Sequence, residues 1–416
     1  MNRIKLRVKY YTKIRNSIEK MPITVLIGAR QVGKSSILKS LNIKRKKVFL
    51  DGQLDETNDL FKKQANIINY LKIKLNEQLD GILIIDEFQM ISKISTTLKV
   101  LVDNYPLLKI LCSGSSSIDI IQKVEESLAG RVRMIEAYSL SLSESILFKY
   151  HQVLLDEYNK YKLDTQTEII SENIRNLLTQ HLVFGGMPRT WLERNPVEKM
   201  RILHDIYSTY LLRDVKAFVK NKDSVGFNKL TRLLALQIGN LVNINELSRN
   251  TGLTYKKCED YIYLLEQMYI IKLIEPFESN RRKAIKKMKK VYFLDLGIRN
   301  MIIQNFNEPD LRMDNGALFE NFVLLELLKN KASYTKIYFY RTRDGAEVDF
   351  ILNDMLNLTS IEVKYKSLKK PIYLKALANF NKDEKVKYSY VVNKNYTNFE
   401  SENKYITPSV IEKIFQ

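Results

Sequence analysis

The stretch that most constrains this chain is Val25 to Ser36, V-L-I-G-A-R-Q-V-G-K-S-S. An apolar segment, Ile23 to Ile27, runs into Gly28; Ala29, Arg30, Gln31 and Val32 then lead to Gly33, Lys34 and Ser35. Ser36-Ile37-Leu38-Lys39 follows with the character of a helix opening. Strand, loop and helix in that order satisfy G-x-x-x-x-G-K-[ST], the Walker A phosphate loop. The glycines let the backbone turn tightly and bring its N–H groups close to a polyphosphate. The helix N-terminus adds partial positive charge there. Lys34 can reach β- and γ-phosphates, and Ser35 can hold Mg²⁺ through its hydroxyl. Residues Gly28 to Ser36 are the expected cradle.

A second motif completes the chemistry. Ile82-Leu83-Ile84-Ile85-Asp86-Glu87 is an apolar strand ending in two carboxylates, the Walker B pattern. Asp86 can bind the Mg²⁺ held by Ser35, and Glu87 can orient and polarise an attacking water. ATP and Mg²⁺ are therefore the expected ligands, with Lys34 and Glu87 catalytic. Leu107 to Cys112 reads as a further strand, running into Ser113-Gly114-Ser115-Ser116-Ser117. This serine run is either a turn capping the next helix or a polar group facing the nucleotide. Arg131, after Ala129-Gly130, is a candidate to stabilise charge on the transferring phosphoryl group, in its own chain or a neighbour's. A surface ion pair explains it equally well.

G-A-R-Q-V-G-K-S, I-L-I-I-D-E-F-Q, S-G-S-S-S and L-A-G-R-V, in this order, resemble the bacterial and archaeal AAA-family ATPases that carry a C-terminal domain of unknown function. F-G-G-M-P-R (184–189), Y-L-L-R-D-V (210–215), V-Y-F-L-D-L-G-I-R-N (291–300) and Y-R-T-R-D-G-A-E-V-D-F (340–350) extend the resemblance over nearly the whole chain. It implies that Ser113 or Ser115 senses the γ-phosphate, and that oligomers are possible.

At 416 residues, 45% apolar and 27% charged, the chain has the make-up of a globular protein of two to four domains. No apolar run approaches the ~18–20 residues of a membrane span, and no signal peptide is read, so a cytoplasmic protein without a membrane partner is expected. Cys112 and Cys258 lie far apart, which argues against a disulfide framework or a zinc site. Three histidines make a His-based triad improbable.

The formal net charge is +20, and two stretches account for all of it. Residues 1–50 hold fourteen Lys/Arg and one acid, Glu19; residues 281–290, R-R-K-A-I-K-K-M-K-K, hold seven basics and none. Such concentration suits phosphate-backbone contact, or a solvated basic surface.

The flanks of 281–290 favour nucleic acid. Ile244 to Asn250 reads as a short helix, Thr251-Gly252 as its turn, and Thr254 as the cap of a longer helix from Tyr255 to Tyr269. Ile270 to Pro276 and Val291 to Leu294 would be two strands with the basic run at their tip. That is a winged helix, presenting Tyr255, Lys256 and Lys257 from its second helix, with DNA the favoured partner. Winged helices also serve as protein contacts.

At the N-terminus, Arg3, Lys5, Arg7 and Lys9 alternate with Ile4, Leu6, Val8 and Tyr10, which predicts a strand with a basic face, followed by a helix to Lys20. Residues 139–225 read as helical, broken at Gly185-Gly186 and Pro188, with Arg213 a second phosphate contact or a structural residue.

Near the C-terminus, Ala346 to Ile351 and Ser360 to Tyr365 read as strands, so Glu347 and Asp349 share a face, and so do Glu362 and Lys364. Asp349 followed by Glu362-Val363-Lys364 resembles the PD-(D/E)xK nuclease core, with Glu320 matching the acid on the preceding helix. The resemblance implies Mg²⁺ on Glu320, Asp349, Glu362 and the Val363 carbonyl, with Lys364 positioning the attacking water. A retained fold that no longer cuts is the alternative.

The expected architecture is α/β: a P-loop, AAA+-like parallel-sheet ATPase core (1–140), a helical lid (141–225), a winged helix (226–290) and a small restriction-nuclease-like domain (291–416).

Overall fold

The structure, a computed structural model, describes residues 7–92, 94–115, 128–146, 168–209, 218–278 and 287–415. Expectations resting on Arg3, Lys5, Ser116, Ser117, Arg213 and residues 281–286 fall outside them. The chain divides into two compact units, one of residues 1–138 with 267–269, the other of 139–266 with 270–416.

In the first unit, β1 (Ile23–Gly28), β2 (Lys47–Asp51), β3 (Gly81–Asp86), β4 (Leu108–Ser115) and β5 (Val132–Glu136) form one sheet in the order β2-β3-β4-β1-β5. Its four strand pairings are all parallel among the described residues. β1 and β3 are buried at every position, as strands covered on both faces require. That is why they read as unbroken apolar runs. Parallel pairing brings the carboxyl ends to one edge: Gly28 lies opposite Ser115, and Asp51 opposite Asp86. In open α/β sheets, ligands bind at that edge.

Of the strand expected over 3–10, residues 3–6 lie outside the described residues, while Val8 to Tyr10 are corrected to the first turn of an α-helix, Val8–Lys20. Tyr10, Ile14 and Ile18 are buried four residues apart, and Ser17 joins them. The apolar–basic alternation spans too few residues to outweigh this helical repeat, which continues a further two turns.

The second unit includes the helices Glu168–Phe184, Pro188–Leu192 and Pro196–Ile206. Gly185 has φ +70°, and a Cβ there would meet Asp295 Oδ1 at 2.2 Å. Gly186 N donates to Asp295 Oδ2 at 2.9 Å, and Asn300 Nδ2 donates to the Leu182 and Val183 carbonyls. The F-G-G-M-P-R and V-Y-F-L-D-L-G-I-R-N segments thus pack on each other.

Helix Ile244–Thr251 is capped by Asn243, whose side chain accepts from Asn245 N and Glu246 N, and ends at Gly252 with φ 74°. Helix Tyr255–Gln267 follows, with Thr254 Oγ1 accepting from Lys257 N. The strands β6 (Ile271–Pro276) and β7 (Lys290–Phe293) form an antiparallel hairpin.

That hairpin extends a larger sheet. With β8 (Lys336–Arg341), β9 (Glu347–Asn353), β10 (Leu358–Lys364), β11 (Tyr388–Asn393) and β12 (Lys404–Ile406), the order is β12-β11-β10-β9-β8-β6-β7. β6 pairs in parallel with β8 through Glu275–Tyr338 and Pro276–Phe339. Apart from residues 267–269, the segments expected as lid, winged helix and C-terminal domain fall in one compact unit, and the β6–β8 pairing joins the last two across the boundary set at 290. Helix Asn315–Asn330 packs on β10.

Candidate nucleotide site

Gly28 ends β1 with φ +149°, and a Cβ there would meet the Ala137 carbonyl oxygen at 2.1 Å. Only glycine takes that turn without displacing the neighbouring chain. Gln31 (φ 61°) and Gly33 (φ 92°) also have left-handed backbone, so the loop closes through Ala29, Arg30, Gln31 and Val32 onto helix Lys34–Ser40. Arg30, Gln31 and Ser36 are exposed, Val32 is buried and Ser35 half-buried.

Lys34 is 5% exposed, and its ammonium donates to the carbonyls of Gly28 at 2.9 Å and Ala29 at 2.8 Å. Burial pushes its pKa down to about 8, against the pull of Glu87 and Asp86. A buried ammonium bonded to backbone carbonyls, with no ion-pair partner among the described residues, fits the polyphosphate that the loop implies.

Opposite it, Asp86 ends β3, and Ser113 Oγ donates to its Oδ1. Glu87 has left-handed backbone (φ 48°, ψ 45°), unusual for a residue with a Cβ and typical of sites where a side chain must be aimed. Its Oε2 accepts from Gln89 Nε2 at 2.5 Å and, at 3.4 Å, from Ser115 N. Gln89 Nε2 also donates to Ser115 Oγ at 3.0 Å, while Gln89 Oε1 is buried without a hydrogen-bond partner. Ser113 and Ser115 both stand at the carboxylates, on the strand between β1 and β3.

Arg131 is not in this group. Its guanidinium holds Asp103 in a two-point ion pair, Nε–Oδ1 at 2.6 Å and Nη2–Oδ2 at 3.2 Å. Arg7 is in it, although its sequence pattern marks it only as one of a row of alternating basic residues. Arg7 is 5% exposed and donates through Nη1 to the carbonyls of Val32 at 2.8 Å and Tyr138 at 2.7 Å. Gln89 is also in it; it follows the carboxylates in I-L-I-I-D-E-F-Q, but nothing in that pattern marks it out.

The second constellation lies in the other unit. Asp349 Oδ2 accepts from Val363 N at 2.7 Å, and Lys364 Nζ donates to Glu362 Oε1 at 2.5 Å. Burial, then the charges of Glu320 and Glu362, raise Asp349 well above the usual carboxylate range. Burial also raises Glu362, with Lys364 opposing. Glu320 goes elsewhere: its Oε1 takes Lys290 Nζ at 3.1 Å and the Tyr292 hydroxyl at 2.5 Å. Among the described residues, no three His, Cys, Asp or Glu gather so as to hold a metal. Glu320, Asp349 and Glu362 are close enough to act on one another's charge but are not arranged to hold a metal among the described residues, and Lys290, a buried lysine absent from the expected site, bonds Glu320.

The described basic groups of the expected nucleic-acid face are largely paired. Lys287 bonds Glu278, Lys289 bonds Glu275 at 2.7 Å, and Lys257 bonds Asp223 at 2.6 Å. Lys256 pairs with Asp260 at 3.1 Å yet stays exposed, as does Tyr255.

Residues 20–146 match the model of an AAA domain. Residues 175–309 match a domain of unknown function (DUF8612), and 315–411 another (DUF4143). An uncharacterized protein of Mycobacterium tuberculosis is 23% identical over 343 residues, covering 81% of this chain and 69% of that one. One from Haemophilus influenzae is 24% identical over 297 residues, covering 68% and 65%. Among solved structures, the Walker-type ATPase PABY2304 of Pyrococcus abyssi is 16% identical, with a TM-score of 0.47 over 71% of this chain and 95% of that one. The first unit thus has the parallel sheet and phosphate loop of a P-loop ATPase fold, and its sequence is similar to an AAA domain. No helix among the described residues is long and apolar enough to cross a membrane.

Proposed function

We propose that this chain is a Mg²⁺-dependent ATPase whose nucleotide state controls a nucleic-acid-binding second unit. The observation that carries it is Lys34: a buried ammonium at the phosphate loop, bonded to two loop carbonyls, near Asp86 and Glu87 and in no ion pair among the described residues. Gly28 to Ser36 hold the phosphates, Ser35 and Asp86 hold Mg²⁺, and Glu87 activates water, with Ser115 and Gln89 placing its carboxylate. Arg131 serves a phosphoryl group, in an oligomer, only after leaving Asp103.

For the second unit, helix Ile244–Thr251, the Gly252 turn, helix Tyr255–Gln267 and the β6–β7 hairpin support a winged-helix reading. Tyr255, Lys256 and the 281–286 part of the basic run are its proposed contacts with DNA. Metal-dependent cleavage is the weaker reading: Asp349, Glu362 and Lys364 lie on neighbouring strands, but the metal-holding arrangement is not formed.

Lys34→Ala is expected to abolish ATP hydrolysis, and undiminished turnover would overturn the assignment. Duplex DNA affinity is measured with no nucleotide, ADP and a non-hydrolysable ATP analogue. Coupling predicts different salt-sensitive affinities in the three states; identical values, or no binding, would leave an ATPase that serves a protein partner.

A further inference from the structure

Lys290 closes the acidic cluster of the second unit. Its side chain is 2% exposed and its ammonium meets Glu320 Oε1 at 3.1 Å and Glu347 Oε1 in a closer contact. Burial works against its charge, but Glu320, Asp349 and Glu347 more than offset that, so it stays protonated above its ordinary value. Tyr292, two residues along β7 and so on the same face, donates to the same Glu320 oxygen. Arg341 Nη1 takes the other oxygen of Glu347 at 3.0 Å. Lys364 holds Glu362, and the Val363 amide holds Asp349.

The charges settle what more the cluster can take. Four carboxylates, Glu320, Glu347, Asp349 and Glu362, face three cationic groups, Lys290, Arg341 and Lys364. At most one negative charge is left over, and none where Asp349, raised by burial and its neighbours, keeps its proton; a divalent ion carries two. Such an ion would also sit beside a buried ammonium, where repulsion is strong because water is excluded. Glu362 Oε2 is buried without a partner. One such oxygen does not replace the several that Mg²⁺ or Mn²⁺ requires.

We propose that Lys290 is the resident cation of this cluster, occupying the place of a divalent metal and locking β7, helix Asn315–Asn330 and β9 together without one. The unit then keeps a nuclease-like arrangement of strands while its carboxylates are committed to a lysine. This reading is independent of ATP hydrolysis in the first unit.

Mn²⁺ binding to the full chain without nucleotide, followed by the loss of the free-ion EPR signal, tests it. The phosphate loop contributes equally to every variant. Wild type and Asp349→Asn are expected to bind the same number of ions. Lys290→Met is expected to bind one more per chain, and its melting temperature to fall in EDTA and recover in Mn²⁺. An ion bound by wild type and lost in Asp349→Asn overturns the proposal. So does a folded Lys290→Met that takes up no additional ion. Should Lys290→Met not fold, the comparison of wild type with Asp349→Asn still decides.

Discussion

Arg7 Nη1 donates to the carbonyl of Val32, inside the phosphate loop, at 2.8 Å, and to that of Tyr138 at 2.7 Å. One buried guanidinium thus ties the loop to the chain leaving β5, whose Ala137 oxygen limits position 28 to glycine. The loop is held from both ends of its first unit. Removing Arg7 leaves two carbonyls to find other donors and lets the loop move. Arg7→Ala is expected to weaken ATP binding about tenfold, equivalent to about 1.4 kcal/mol, within the range for hydrogen bonds from a charged donor. Calorimetric titration with ATP checks this. Unchanged affinity in a folded variant would assign Arg7 to packing alone.

Lys34 makes nucleotide binding pH-dependent. Burial lowers its pKa to about 8, against 10.5 for an ordinary lysine. Below pH 8 the ammonium is formed and ready for phosphate. Above it, binding must first add a proton, so ATP affinity is expected to fall as pH rises through 8 to 10. The stability contribution runs the other way. Between about pH 8 and 10.5 the unfolded chain binds a proton that the folded protein does not, so this group makes the folded state relatively more stable as pH rises. Titrations with ATP from pH 7 to 9.5 check the first part; Lys34→Arg, charged throughout, is expected to bind more weakly at pH 7 and with less slope.

Glu87 and Gln89 are expected to separate under mutation. Glu87→Gln keeps size and loses the basic oxygen, so hydrolysis falls about 10²- to 10⁴-fold while ATP still binds. Gln89 acts through Glu87, holding Oε2 at 2.5 Å. Gln89→Ala is expected to lower kcat about three- to tenfold with KM changed less than about twofold, the pattern of a group that positions the base and does not bind the nucleotide. Equal changes in KM and kcat/KM would place Gln89 in nucleotide binding instead.

What was legible in the sequence follows from distance along the chain. Gly28 to Ser36 and Ile82 to Glu87 are contiguous, and each carries its own strand and turn, so the local structure of both motifs could be read directly. Arg7 could not: its acceptors lie 25 and 131 residues away, and a short alternation of basic and apolar residues does not show that a longer helical repeat will bury one of the basics. Lys290 reads as the end of a basic run, because nothing local distinguishes a solvated lysine from one whose partners, Glu320 and Glu347, come from a later helix and strand. The same holds for the parallel pairing of β6 with β8, which joins the hairpin to the C-terminal sheet.

Asp314 supplies an acid-sensitive brace in the second unit. Burial opposes its charge, but the Arg312 hydrogen bond and the Arg299 guanidinium outweigh burial and hold its pKa at about 2. Both arginines are buried, Arg312 donating from Nε at 2.8 Å and Arg299 from Nη1 at 2.6 Å. A depressed carboxylate stabilises the fold above its unfolded pKa of 3.8 and loses that contribution as pH falls toward 2. The contribution at neutral pH is about 2 kcal/mol. Asp314→Asn is expected to lower the melting temperature at pH 7, since two buried guanidinium groups lose their counter-ion. Its stability is also expected to change less than that of wild type between pH 4 and 2, where Asp314 takes up its proton. Urea unfolding at pH 7, 4 and 2.5 measures both. Parallel losses in the two proteins across that interval would show that other carboxylates carry the acid transition and that the Arg299–Asp314–Arg312 group is only packed, not electrostatically coupled to folding.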